Sequence, residues 1–196
     1  MQNKQELTTE KEGKNGVKAP VLRTAKESAY LAVFVAMLIA AQLAFAAIPG
    51  VEIVTVLFVV YAYVFGVRRG MTAATAFSLL RMLLFGFQPH VLALYLLYYN
   101  GLAALFGGMG KWIKSGKELR FLWLIILVSC LCTVSFSMLD NVITPLWFGF
   151  VWRAVKTYFF ASFSVMIPQT ICTAVSVGAL FLPLRKTFAF IKKGLQ

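Results

Sequence analysis

Long apolar runs alternate with short polar punctuation along this chain, and that spacing predicts a series of helices. Apolar residues dominate about 28–48, 51–67, 71–87, 91–109, 121–139 and 158–184. Each run approaches the roughly 20 residues that a helix needs to cross a bilayer, the second and third being short. Between them lie a Pro49-Gly50 turn, Arg68-Arg69-Gly70, Gln88-Pro89-His90, a basic loop from Gly110 to Arg120, and a long connection from Asp140 to Thr157. The pattern reads as an all-α integral membrane protein with six transmembrane helices over residues 24–190. A polar tail of mixed sign, 1–23, lacks apolar periodicity and reads as disordered, and a short tail occupies 191–196.

The first apolar run carries the most regular pattern. Thr24-Ala25-Lys26-Glu27 has the form of a capping box, in which Thr and Glu satisfy orphan N–H groups at a helix start. Alanine then recurs every fourth place at Ala32, Ala36, Ala40 and Ala44. At 3.6 residues per turn these form one slowly drifting stripe, a nearly side-chain-free face that another backbone can approach closely. Two readings stay open: packing among the chain's own helices, or a docking face for a separate protein. Ala44-Phe45-Ala46 resembles a signal-peptide cleavage site, but the charged region is too long and the apolar run exceeds 7–15 residues. An uncleaved membrane helix is expected.

Composition sharpens the class. The 196 residues, one domain's length, are 60% hydrophobic and 13% charged, against about 25% charged in soluble domains. Cys130, Cys132 and Cys172 lie within apolar runs and read as small buried hydrophobes. The net charge of +12 suggests nucleic acid until its placement is considered. With six spans, Lys14, Lys18, Arg23 and Lys26, then Arg68 and Arg69, then Lys111, Lys114, Lys117 and Arg120, then Arg185, Lys186, Lys192 and Lys193 fall on one side. The other side holds Arg153 and Lys156. The positive-inside rule makes the first side cytoplasmic, with both termini there. Orientation and lipid headgroups account for the charge without nucleic acid.

Polar residues of the outer half are the candidate site. Arg81 lies about eleven residues into the third helix, where a charge is costly and faces a polar cavity or partner, unless it snorkels to the headgroups. Glu52 opens the second helix, a position the helix dipole alone also favours. Asp140-Asn141 either joins the site or simply ends a helix in a turn. Asn100, deep in the fourth helix, needs a partner and follows Tyr95, Tyr98 and Tyr99. His90 reads as a loop residue at the interface. Pro168-Gln169 interrupts the sixth helix and frees a carbonyl. Trp147, Phe148, Phe150, Trp152, Tyr158, Phe159 and Phe160 interleave with Arg153 and Lys156. That segment is either an aromatic belt or a lid whose rings cover a planar ligand and whose cations attract an acidic group.

No Ser/His/Asp set, metal-ligand cluster, phosphate-binding glycine loop or paired carboxylates occur at catalytic spacing. An enzyme is not expected, and neither is a cofactor or metal site. Gly107, Gly108 and Gly110 read as a helix cap. The lack of visible repeats and the single acid at membrane depth make an autonomous secondary transporter a poor reading.

The six-helix layout and size, the alanine ladder, Ile48-Pro49-Gly50-Val51-Glu52, the corner Phe65-Gly66-Val67-Arg68-Arg69-Gly70, and Gly86-Phe87-Gln88-Pro89-His90 before a helix ending in Gly107-Gly108 resemble the S components of energy-coupling factor (ECF) vitamin transporters. The resemblance covers roughly residues 24–190. It implies a bacterial plasma-membrane protein that captures a vitamin or related micronutrient, with the cobalamin-linked subgroup nearest in look. It implies docking through Ala32, Ala36, Ala40 and Ala44 on a transmembrane coupling subunit that works with two ATPase subunits. It also implies a pocket drawn from Tyr95, Tyr99, Asn100, Asp140, Asn141, Trp152 and Gln169, with Arg81 and Glu52 as additions. A small homo-oligomeric channel or exporter, using the same ladder between copies, is the alternative.

Overall fold

A computed structural model describes residues 25–45, 48, 53–113 and 116–195. These residues form six helices: α1 (Ala25–Phe45), α2 (Ile53–Phe65), α3 (Val67–Phe85), α4 (Pro89–Trp112), α5 (Glu118–Phe148) and α6 (Trp152–Gly194). Four of them, α1, α4, α5 and α6, are long and apolar enough to cross a membrane. At 13 residues α2 is about 20 Å long, too short to cross a core of about 30 Å by itself. The arginines of α3 leave it outside the set of four.

Helix α2 packs against α1, α3, α4 and α6 at the centre of the molecule. Every residue from Thr55 to Tyr63 is buried. The Tyr61 ring stacks on Phe34 of α1 at 3.9 Å between centroids and meets Phe188 of α6 edge-on. Phe58 meets Tyr99 of α4, and Tyr63 meets Phe181 of α6. Geometrically favourable ring pairs each add roughly 0.5–1.5 kcal/mol beyond area burial, so several together hold α2 in place.

The helix ends collect at two poles. At the first, Arg69 of α3 pairs with buried Glu27 of α1 at 2.7 Å, and Arg185 of α6 pairs with Glu118 of α5. Lys192 of α6 donates to the Val64 carbonyl at 2.6 Å, where the C-terminal end of α2 favours a cation. Lys26, Arg68, Lys111 and Arg120 lie at these same helix ends, so this is the basic pole. At the opposite pole Gln42 of α1 meets Tyr95 of α4, and His90 meets Trp147 and Phe148 of α5. Consecutive helices therefore run in opposite senses.

Several local expectations change. The glycines of α4 do not cap it, because α4 continues to Trp112. A Cβ on Gly107 would lie 2.5 Å from the Val67 nitrogen, and one on Gly110 would land on the Tyr63 carbonyl oxygen. These glycines let α4 touch the α2–α3 corner backbone to backbone, while Gly66 turns that corner at φ +86°. The capping-box Glu27 spends Oε1 on Arg69; its partner Thr24 lies outside the described residues.

The long connection from Asp140 to Thr157 is absent. Helix α5 runs on to Phe148, and only Gly149 to Val151 separate it from α6. Gly149, at φ +62°, supplies the left-handed residue that ends α5. Pro145, Pro168 and Pro183 all lie inside continuous helices, so Pro168 does not interrupt α6. This last helix continues through residues 191–194.

Candidate functional site

The long α5 and α6 lie side by side, joined by polar contacts along their length. On α5, Ile125, Ser129, Thr133, Ser137, Asn141 and Pro145 are all buried at four-residue spacing, the mark of one helix face. The hydroxyls of Thr133 and Thr173 lie 3.1 Å apart. Toward the opposite pole Asn141 Nδ2 donates to Ser162 Oγ at 3.0 Å, and Tyr158 donates to Asp140 Oδ2 at 2.7 Å. Small side chains permit this approach, and their hydroxyls supply interhelical bonds that lipid cannot replace.

Beside these contacts the two helices part around a cleft of about 350 Å³. Its walls are Phe136, Ser137 and Asp140 from α5, and Tyr158, Ala161, Ser162, Val165, Met166 and Gln169 from α6. Asp140 is the charged group of the lining. Thr144 donates to its Oδ1 at 2.7 Å and Tyr158 to its Oδ2, so two hydroxyls fix the carboxyl plane. None of the ion pairs among the described residues involves it.

A second cluster lies across Phe136, whose ring meets Tyr95 and Tyr98 of α4. The Arg81 guanidinium sits 4.1 Å from the Tyr95 ring centroid and 5.0 Å from that of Phe85. Gln42 donates to the Tyr95 hydroxyl at 3.2 Å. Among the described residues, four buried polar atoms at this pole lack a hydrogen-bond partner: Gln42 Oε1, Arg81 Nε, His90 Nδ1 and Asn141 Oδ1. Buried atoms of this kind are costly and call for an explanation.

Comparisons with family models, curated proteins and solved structures found no match. The geometry alone carries the site.

The candidate residues separate into groups. Asp140 and Gln169 line the cleft, and Asn141 binds its wall residue Ser162. Arg81, Tyr95 and Tyr99 belong to the aromatic cluster, with Tyr99 buried between Phe58 and Phe77. Asn100 turns its amide back to the Leu96 carbonyl at 2.8 Å. Trp152 is exposed beneath Lys156 and lies off the cleft wall. Arg153 is exposed as well, so the cations expected to attract an acidic group do not line the cleft. Glu52 lies outside the described residues.

Other expectations are overturned. Asp140-Asn141 ends no helix; both residues sit inside α5. His90 is no loop residue either. It occupies the first turn of α4, buried against Trp147 and Phe148.

Sequence reasoning passed over Ser137, Ser162, Phe136 and Met166, and assigned Tyr158 only to the aromatic segment. The available signal was Tyr158, Ser162 and Gln169 at i, i+4 and i+11, a polar stripe on one helix face. It becomes visible once α6 is started at Trp152. Ala32, Ala36, Ala40 and Ala44 are all exposed, whereas Leu31, Phe34, Val35, Leu38 and Ile39 on the other side of α1 are buried. Packing among the chain's own helices therefore does not occupy the ladder. Among the described residues, no group of three His, Cys, Asp or Glu side chains converges as a metal site.

Proposed function

We propose that this chain is a solute-capturing membrane subunit of the ECF S-component type. It binds a small micronutrient in the α5–α6 cleft and passes it on through a coupling subunit driven by two ATPase subunits. In this reading all six helices belong to the membrane domain, with α2 sheltered at its centre. The basic pole faces the cytoplasm by the positive-inside rule, and the cleft lies toward the outside.

The observation that carries the reading is the cleft itself. It is a concave, mostly apolar space with a few convergent polar groups, which is the form that small-molecule sites take. At about 350 Å³ it falls at the small end of the usual 300–1,000 Å³. That size favours a compact molecule over an intact cobalamin. The exposed alanine face of α1 supports the second half of the reading, because a capturing subunit needs an unobstructed surface for the coupling subunit.

The test replaces Ala36 and Ala40 together with Trp. Uptake and co-purification of the coupling and ATPase subunits should be lost, while the purified variant keeps its ligand. Uptake at the wild-type rate would sink the docking claim. A symmetric homo-oligomer that transports in vesicles lacking ATPases would establish the channel or exporter reading instead, since the same ladder suits contacts between copies.

A further inference from the structure

We infer that the α5–α6 cleft selects a small organic cation, a ring-bearing amine or quaternary nitrogen seated on Asp140. The inference rests on reading the cleft as the capture site, and it adds the charge of the ligand.

Asp140 is the charged side chain in the lining, and its oxygens are already oriented by Thr144 and Tyr158, each at 2.7 Å. None of the described ion pairs satisfies it. Asp140 is half-buried beside a mostly apolar lining, so its charge is partly desolvated at a cost, and an opposite charge beside it is favoured. Arg81 lies over the Tyr95 and Phe85 rings and Lys156 over the Trp152 ring, and neither lines the cleft. A ligand that brings its own positive charge removes that cost, whereas an anionic one would add a second like charge.

The rest of the lining fits the same chemistry. Phe136 and Tyr158 bring aromatic rings to the lining, a group that attracts cations, and Met166, Val165 and Ala161 add apolar atoms. Ser137, Ser162 and Gln169 supply hydroxyl and amide groups for the ligand's polar edge. A bare metal ion does not suit this space, which is far wider than one ion and lined largely by carbon, whereas hard cations need six or more oxygens.

The experiment compares three probes that share a ring and differ in charge: benzylamine, benzyl alcohol and benzoate. Calorimetric titration into the purified full chain in lipid nanodiscs measures each, with empty nanodiscs as the partition control. Benzylamine should bind at least tenfold more tightly than benzoate, with benzyl alcohol between them. Asp140→Asn should reduce benzylamine binding at least tenfold and leave benzyl alcohol within about twofold. Tyr158→Phe, which keeps the ring and removes one hydroxyl from Asp140, should cost a few-fold and guards against a misfolded Asp140 variant. Benzoate binding as tightly as benzylamine, binding of none of the three, or undiminished benzylamine binding by Asp140→Asn each overturns the inference. The titrations need no coupling subunit, so their failure is distinguishable from a failure of docking or uptake.

Discussion

The small residues that recur at four-residue spacing on α1 and α5 meet opposite fates. On α5, Ser129, Thr133 and Ser137 are buried, with α6 reached through the Thr133–Thr173 pair. On α1, Ala32, Ala36, Ala40 and Ala44 are exposed along the whole helix. Spacing is the same; chemistry differs. Hydroxyls inside a bilayer seek partners, so a Ser/Thr ladder is satisfied by its own turn and a neighbouring helix. Alanine has no such demand and can face lipid or another protein without penalty. On these two helices the four-residue repeat marks a close-approach surface, in use where it carries hydroxyls and open where it carries alanine.

The comparison can be broken most violently at a third set of small residues, the glycines of α4. Gly110→Val places a branched side chain onto the Tyr63 carbonyl, and Gly107→Val drives one into the Val67 backbone. Neither neighbour is a flexible side chain that can swing away. Either change should cost more than about 4 kcal/mol, the range reserved for severe lesions, and abolish recovery of monodisperse protein by size-exclusion chromatography. Normal yield and melting temperature for Gly110→Val would show that α4 does not press on the α2–α3 corner.

A smaller effect is expected on α5. Thr133→Leu enlarges a fully buried side chain and removes its contact with Thr173. Overpacking typically costs 1–3 kcal/mol, and a lost interhelical hydrogen bond in a membrane adds about 0.6 kcal/mol. Unfolding in a denaturing detergent should register a loss of about 2–3 kcal/mol. Thr133→Ser, which keeps the hydroxyl and removes a methyl, should lose less. Equal losses would mean that volume alone matters there.

These residues also show what could be read before the fold was known. Helix class and the approximate positions of all six helices followed from apolar periodicity, because α1, α4, α5 and α6 each present a long continuous run. The central role of α2 did not, since a short apolar run looks alike whether lipid or protein surrounds it. The α5–α6 turn was hidden by Asp140, Asn141, Pro145 and a cluster of aromatics, each a normal sign of a loop. In the fold Asp140 is instead held by hydroxyls from Thr144 and from Tyr158, eighteen residues away. Partners at that distance, like Arg69 for Glu27, leave no local trace in a single sequence. The cleft was half legible for the same reason: Asp140 stood out as a polar group at the end of an apolar run and Gln169 as one within a run, whereas Ser137 and Ser162 resembled ordinary small residues.

The smallest expected effect is the sharpest test of the contrast. Ala36→Trp with Ala40→Trp adds two large rings to α1, a far greater change in volume than Thr133→Leu. Yet both positions are exposed, and the helix buries Leu31, Phe34, Val35, Leu38 and Ile39 on its other side. The new rings would project away from the bundle, so the isolated protein should hold its stability to within about 0.5 kcal/mol, as surface substitutions generally do. Detergent unfolding of the purified double variant, run beside Thr133→Leu, measures this directly. A loss as large as that of Thr133→Leu would place the alanine face against the protein's own helices and erase the distinction between the ladders. Unchanged stability together with lost co-purification of other subunits would leave the face free in the monomer and occupied only in a complex.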